Sequence, residues 1–465
     1  MNAPRDFPAA ARRALGDATL TAALGKARAK FVDHRAEAIA ALPEFAALTK
    51  AGRAIRDHTL AHLDLYLDRF AAGVEAAGGQ VHWARDAAEA RATILRLCKD
   101  AGARTVTKGK SMASEEIGLN AALEGDGLKV VETDLGEYII QLRRERPSHI
   151  IAPAVHVTRA QVEDSFRQTH VGLDPARRLD RPEALLAEAR EVLRREYFSA
   201  EVGITGANFL VAETGTAVIV TNEGNGDLTR LLPRTHIVLA GIEKVVPTLG
   251  DLATLLRLLA RSATGQEMSV YTTLMTGPKR AADADGPQAF HVVLLDNGRT
   301  RLLAGEFKDV LRCIRCGACM NHCPIYQAVG GHAYGGVYMG PIGAVLTPAL
   351  AGLAEARHLP EASTLCGRCE EVCPVGVPLP RLLRAWRQQS FAARLTPPRA
   401  RLALALWGFL ARRPALYRAI AGVVAGVLGR LGRRRGRFAW LPLAGGWTAS
   451  RDFPAPEPRL RVSRR

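Results

Sequence analysis

The sequence predicts an α/β body with parallel strands, then a small helical domain that carries the cysteines, then a basic helical tail. Three observations predict it. Strand and helix signals alternate between about residues 80 and 133. Seven of the eight cysteines fall in two tight runs after residue 310. The positive charge is gathered at the C-terminal end, in a tail rich in arginine and nearly free of acids.

The elements follow in order. Residues 1–75 read as helices, because Leu60, Leu63, Leu67, Phe70 and Val74 recur at three- and four-residue steps. Gly78 and Gly79 end that segment. Val81–Ala84 reads as a strand. Asp86, with Glu89 three residues on, resembles a capping box for a helix ending near Gly102. A strand at Thr105–Lys108, a helix at about Ser114–Glu124 and a strand at Lys129–Thr133 complete a strand–helix repeat. Asp174, Pro175 and Pro182 break the chain before a charged helix at about Glu183–Tyr197. Asn208–Thr221, His236–Val246 and Phe290–Asp296 are β-rich and are expected to extend the same sheet.

Beyond that point strand signals vanish and glycine, proline and cysteine become dense. The expected domains are a helical segment 1–75, an α/β domain 76–300, a cysteine-bearing domain 303–390 and a basic region 391–465. From Arg381 onward the chain has nineteen arginines, no lysine, and only Asp452 and Glu457 as acids. The preceding 380 residues balance to zero, so the protein is a neutral body with a basic tail. Such a tail suits an acidic partner, an anionic membrane surface or nucleic acid. Two apolar helices, Leu402–Leu410 and Ala415–Leu428, read as too short and too interrupted by arginine to span a bilayer, and suit an interface.

Other classes fall away. Hydrophobic residues make up 48% of the chain, enough for a sizeable core. Eight cysteines in 465 residues are too few for a disulfide scaffold. No apolar signal region is visible in Met1–Arg35, so a reducing, cytoplasmic setting is expected, with contact at the inner face of the membrane through the tail.

The cysteine runs carry the chemistry. They read Cys313-x2-Cys316-x2-Cys319-x3-Cys323-Pro324 and Cys366-x2-Cys369-x3-Cys373-Pro374. Three thiolates at two-residue gaps wrap a loop around three corners of an iron–sulfur cube, and the cysteine after the x3 step serves the other cluster. Cluster one therefore takes Cys313, Cys316, Cys319 and Cys373. Cluster two takes Cys323, Cys366 and Cys369. A full repeat would place a fourth cysteine at 363, where Ser363 stands. The second site is thus a three-iron cluster or a four-iron cluster with a ligand other than cysteine. A zinc site on Cys313, Cys316, Cys366 and Cys369 leaves three cysteines and both Cys-Pro steps unexplained. Cys98 reads as a buried core thiol. The implied chemistry is one-electron transfer.

Weaker motifs stand beside it. Lys108-Gly109-Lys110-Ser111 ends like a phosphate-binding loop, but Arg104 occupies the required glycine position. Its two lysines at a strand end still make an anion site conceivable. Glu213–Thr216 and Asn222–Gly226 are glycine-containing turns where a ligand could approach the backbone. His149 and His156 read as hydrogen-bonded core histidines rather than catalytic ones. No dinucleotide fingerprint and no haem-attachment motif occur.

Several stretches resemble the lactate utilization protein B family. They are Thr107–Asn120, Glu132–Gln141, Pro147–His156, Gly203–Asn225, Cys313–Pro324, Gly330–Tyr334, Leu365–Pro374 and Trp447–Pro454. The resemblance implies a Rossmann-like lactate-utilisation (LUD) α/β domain, similar in fold to sugar-phosphate isomerases and CoA transferases, joined to a ferredoxin-type domain with two 4Fe-4S clusters. It implies an iron–sulfur subunit that carries electrons during oxidation of L-lactate to pyruvate. Two companion subunits are implied, one cysteine-rich and one sharing the α/β domain. The second run of only three cysteines also fits that family. A membrane quinone is a conceivable acceptor. Two other readings stay open: an α/β domain that itself oxidises the substrate, and a redox-sensing binding protein with its tail on nucleic acid. No helix-turn-helix signal supports the last.

Overall fold

A computed structural model describes residues 6–442, 444–448 and 451–457. Arg459, Arg461, Arg464 and Arg465 of the basic tail lie outside the described residues. The chain divides into two compact units, one reaching to Ser390 and one from Phe391 onward.

Ten strands run through the first unit among the described residues. They are β1 (Gln80–Ala84), β2 (Thr105–Lys108), β3 (Lys129–Glu132), β4 (Val202–Thr205), β5 (Phe209–Val211), β6 (Thr216–Thr221), β7 (Thr235–Gly241), β8 (Val245–Val246), β9 (Tyr271–Met275) and β10 (Ala289–Leu295). Six form one sheet in the order β1-β10-β7-β4-β2-β3, every neighbouring pair parallel. The sheet is covered on both faces, as parallel sheets are. Alternate residues of β10 show it. Val293 and Leu295 pack with Ile94, Leu97 and Leu119, while Val292 and Leu294 pack with Phe70 and Val74.

The single extended sheet expected from the sequence is corrected here. β5, β6, β8 and β9 form a separate four-stranded sheet in the order β8-β5-β6-β9. β5 meets β6 antiparallel and β8 parallel, and β9 closes the edge antiparallel to β6. β4 and β9 carried no sequence signal of their own. β4 has only four residues, and β9 lies on an edge with half-exposed side chains.

Asp86 does cap the helix, its Oδ1 accepting from the Ala88 and Glu89 amides at 2.9 Å, but the capping box is not closed, because the Glu89 carboxylate accepts from the Arg85 amide at 2.8 Å instead of that of Asp86. Such a cap contributes about 1 kcal/mol. The helix expected at Ser114–Glu124 is instead two short ones, Met112–Ile117 and Leu119–Gly125, parted by Gly118 at φ 65°. That left-handed position ends a helix, and glycine takes it without steric cost.

The cysteine-bearing segment shares one apolar core with helix Leu249–Thr264. Leu255, Leu258 and Leu259 join Ile314, Met320, Tyr334 and Leu383 in it. Buried arginines tie in the N-terminal helices. Arg35 donates to the Val372 carbonyl at 2.9 Å, and Arg56 donates to Val245 at 2.8 Å and Leu311 at 3.0 Å.

The second unit contains helices Pro398–Ala411 and Pro414–Gly432. The latter runs beyond the 415–428 expected. Among the described residues it alone is long and apolar enough to cross a membrane, by length and composition. That corrects the expectation that both helices are too short. Their apolar side chains face outward: Leu402 is 72% exposed, Trp407 62% and Val423 68%.

Candidate iron–sulfur sites and the adjoining pocket

Both cysteine runs are built alike. Each has a tight loop with left-handed backbone on either side of one cysteine. Arg315 (φ 61°) and Gly317 (φ 74°) flank Cys316, and Leu365 (φ 55°) and Gly367 (φ 87°) flank Cys366. A four-residue helix follows in each, Ala318–Asn321 and Arg368–Glu371. In the first loop the Arg315 amide donates to Cys313 Sγ at 3.4 Å. In the second the Leu365 amide donates to Ser363 Oγ at 3.1 Å. The Val377 amide donates to Cys373 Sγ at 3.3 Å. Pro324 starts a helix after Cys323, where its missing N–H costs nothing.

The thiols form two groups. Cys313, Cys316, Cys319 and Cys373 line one small cavity, walled by Ile150, Ile342 and Leu379. Burial pushes the Cys316 thiol up to about 12, and Cys373 and Cys313 add to it. Cys373 is pushed up to about 11, first by burial. Cys369 rises to about 12 through burial, then Cys323 and Cys366. Cys323 is raised by burial, and Cys366 also acts on it. Cys366 is exposed, and its thiol is lowered chiefly by the Arg368 amide. Among the described residues all eight cysteines are free thiols. Gathered buried thiols that oppose each other's ionisation are stable as thiolates only around a cation, because a coordinating metal deprotonates them outright. The donor set therefore fits iron–sulfur clusters. Cys98 lies apart on helix Ala87–Asp100, wholly buried, and burial pushes its thiol up to about 12.

A cavity of about 310 Å³ opens at the carboxyl ends of β2, β4 and β7. That is where open parallel sheets bind ligands. Lys110, Thr205, Glu223, Lys244 and Arg315 line it, and so does Cys316. The cavity thus shares a wall with the first group of thiols.

Behind this wall is a buried charge network. Arg299 donates through Nη1 and Nη2 to both Glu116 oxygens at 2.9 Å, and through Nε to Glu243 at 2.5 Å. Tyr338 donates to Glu116 at 2.6 Å. Arg315 lies 3.3 Å from Glu243, with its guanidinium over the Tyr338 ring at 4.7 Å. Burial opposes ionisation of Glu243, yet Arg299 and Arg315 hold its carboxyl down at about 2. Gly241 makes room, since a Cβ there would sit 2.1 Å from Glu243 and 2.5 Å from Arg299. Lys244 has no hydrogen bond or ion pair among the described residues. Burial and Arg315 pull its ammonium down to about 8.

The other sequence candidates separate. Lys108 is sealed inside, 2.7 Å from Glu132 and bonded to Ser114, so it is no anion ligand. Lys110 does line the cavity and donates to the Ile151 carbonyl at 2.5 Å. The Asn222–Gly226 turn reaches the cavity. The Glu213–Thr216 turn instead packs Gly215 against Gly73, where a Cβ would meet backbone at 2.2 Å. His149 is core: its Nδ1 accepts from the Ile151 and Ala152 amides, and its Nε2 faces Asn321 at 2.7 Å. Burial pushes its imidazole down to about 4, so it is neutral. His156 is held by Glu145 and Ser148. Sequence reasoning missed Glu116, Glu243, Lys244, Arg299 and Tyr338, which only the fold brings together. Arg315 carried the one available signal, a charged residue inside a cysteine loop.

Residues 67–295 match the LUD domain, and residues 309–377 match the 4Fe-4S dicluster domain. The chain is similar to Lactate utilization protein B of Lysinibacillus sphaericus, 42% identical over 94% of this chain and 91% of that one. It is 46% identical to Lactate utilization protein B of Shouchella clausii, covering 86% and 84%. It is 41% identical to the Escherichia coli K12 protein described as "Uncharacterized electron transport protein YkgF", covering 90% and 87%.

Proposed function

The chain belongs to the lactate utilization protein B family, and from that membership we propose that it is the iron–sulfur electron-transfer subunit of a lactate-oxidising system, acting with companion subunits. One observation carries the reading: seven thiols fall into a group of four and a group of three, built on two loops of the same design. Bound there, iron–sulfur clusters supply reversible one-electron acceptance. The protein's own residues give this a direction. Cys316 adjoins the α/β cavity, Cys369 acts on the charge of Cys319, and Cys366 reaches the surface. An electron carrier needs that polarity, with one end beside a donor and one end accessible to an acceptor.

The test is iron and sulfide analysis with electron paramagnetic resonance on the anaerobically purified full chain. Seven to eight irons per chain, reducible by dithionite and not by L-lactate alone, is the expected result. An iron-free chain overturns the reading. Reduction by L-lactate alone moves the oxidation into this chain, a second reading that the cavity beside Cys316 favours.

The proposal extends to location. The two C-terminal helices rest on an anionic membrane surface, and the acceptor is held in that membrane, a quinone being one of the right kind. The outward apolar residues of Pro398–Ala411 and Pro414–Gly432 and the surrounding arginines support this.

A further inference from the structure

We propose that the cavity beside Cys316 is a binding site for a small carboxylate anion, held by Arg315 and Lys244. Three observations converge. First, Arg315 is nine-tenths buried, and its Nη1 has no hydrogen-bond partner although it lines the cavity. A buried guanidinium N–H left unpaired costs stability that a ligand oxygen would recover. Second, Lys244 lines the same wall with no partner among the described residues. Third, cations crowd this wall: Arg299 and Arg315 share the Glu243 carboxylate, and Lys244 stands beside them with Glu243 and Cys313 acting on its charge.

Neutralising the neighbouring thiolates does not account for all of this. Cys313 acts on both cations, and Arg315 lines the cysteine pocket as well as the cavity, but Lys244 lines the cavity alone. A volume of about 310 Å³ suits a small molecule. The planar guanidinium suits a carboxylate. The narrower assignment, to a 2-hydroxy or 2-oxo acid, rests on the lactate reading above; the anion site does not.

The test is calorimetric titration of the anaerobic, iron-loaded full chain with L-lactate, pyruvate, acetate and inorganic phosphate. L-lactate or pyruvate is expected to bind saturably, and Lys244→Met to weaken it roughly tenfold or more. The resonance of the reduced first centre is expected to change on binding, because Cys316 shares the wall. Arg315→Gln should weaken binding as well, but it sits in a cysteine loop, so Lys244→Met decides. No saturable binding, or binding that Lys244→Met leaves unchanged, overturns the site. Tighter phosphate than carboxylate overturns the ligand class. Iron content and dithionite reduction of the same samples report separately on the electron-transfer reading.

A different observation carries a second inference: the geometry assigns Ser363 as the fourth ligand of the second cluster, through oxygen. The two loops repeat at an offset of fifty residues, with left-handed backbone at 315 and 365 and at 317 and 367. At the first position of each, the amide two residues on bonds the side chain, to Cys313 Sγ in one and Ser363 Oγ in the other. Ser363 Oγ therefore holds the place of a ligating sulfur. Ligation forms an iron–oxygen bond and releases the hydroxyl proton to solvent. Ser363→Ala is expected to lower the iron content by about one per chain and give a three-iron resonance as purified. Ser363→Cys should keep the iron and change the second centre's Mössbauer parameters. A three-iron centre in the unaltered chain, or an unchanged four-iron centre in Ser363→Ala, overturns the assignment.

Discussion

Cys373→Ala is expected to abolish the first iron–sulfur centre and leave the second in place, although Cys373 belongs to the second run. The reason is geometric. Cys373 shares its cavity with Cys313, Cys316 and Cys319, sixty residues back along the chain for the first of them. Its charge acts on Cys316 and Cys319, whereas Cys369 feels Cys323 and Cys366. The expected loss is about four irons per chain, with the resonance of the first centre gone. Cys366→Ala should do the converse, removing iron only from the second centre. A chain whose first centre survives Cys373→Ala would show that each run closes on its own cluster. Thermal stability should also fall in Cys373→Ala. The metal bridge closes a loop from Cys313 to Cys373, and removing such a closure frees the unfolded chain.

That exchange of ligands was legible in the sequence because cysteine spacing is a local rule with a geometric cause. The x2 gaps keep three thiolates on one loop, and the x3 step carries the fourth away. The strands of the parallel sheet were legible for a similar reason, since β2 and β3 are short runs with β-branched residues at their centre, each after a glycine-bearing helix end, and β10 is a longer, mostly apolar run. The division into two sheets was not. Apolar periodicity says that β5 and β6 are strands, but pairing partners are set by tertiary packing. The Lys108/Lys110 pair shows the same limit. Strand alternation would put Lys108 and Lys110, two residues apart, on one face, but β2 ends at Lys108, and beyond Gly109 the chain has left the sheet, so one lysine is sealed on Glu132 while the other lines the cavity. Glu116, Glu243 and Arg299 are far apart in sequence and gave no motif. Their meaning exists only where strand ends converge.

Anionic vesicles are expected to bind the full chain, and Trp407→Glu with Val423→Glu to weaken that binding roughly a hundredfold. Both residues sit on helices whose apolar side chains meet no core: Trp407 is 62% and Val423 68% exposed. Fully burying a large apolar side chain is worth about 1.5–3 kcal/mol, so two of them dominate the partition. Residues 391–457 also carry twelve arginines against Asp452 and Glu457. Each arginine near an anionic surface adds about 1 kcal/mol, screened as salt shortens the Debye length from about 8 Å to about 3 Å. Two components therefore separate in one experiment. Raising salt should strip the electrostatic part and leave a residue that the double substitution removes. Neutral vesicles should show only that residue. Co-sedimentation with vesicles of phosphatidylglycerol and phosphatidylcholine, or of phosphatidylcholine alone, measures both. No binding to anionic vesicles would overturn the membrane reading. Sedimentation velocity without lipid tests the competing occupant, since a second copy of these helices covering the same side chains would appear as a dimer that Trp407→Glu dissociates.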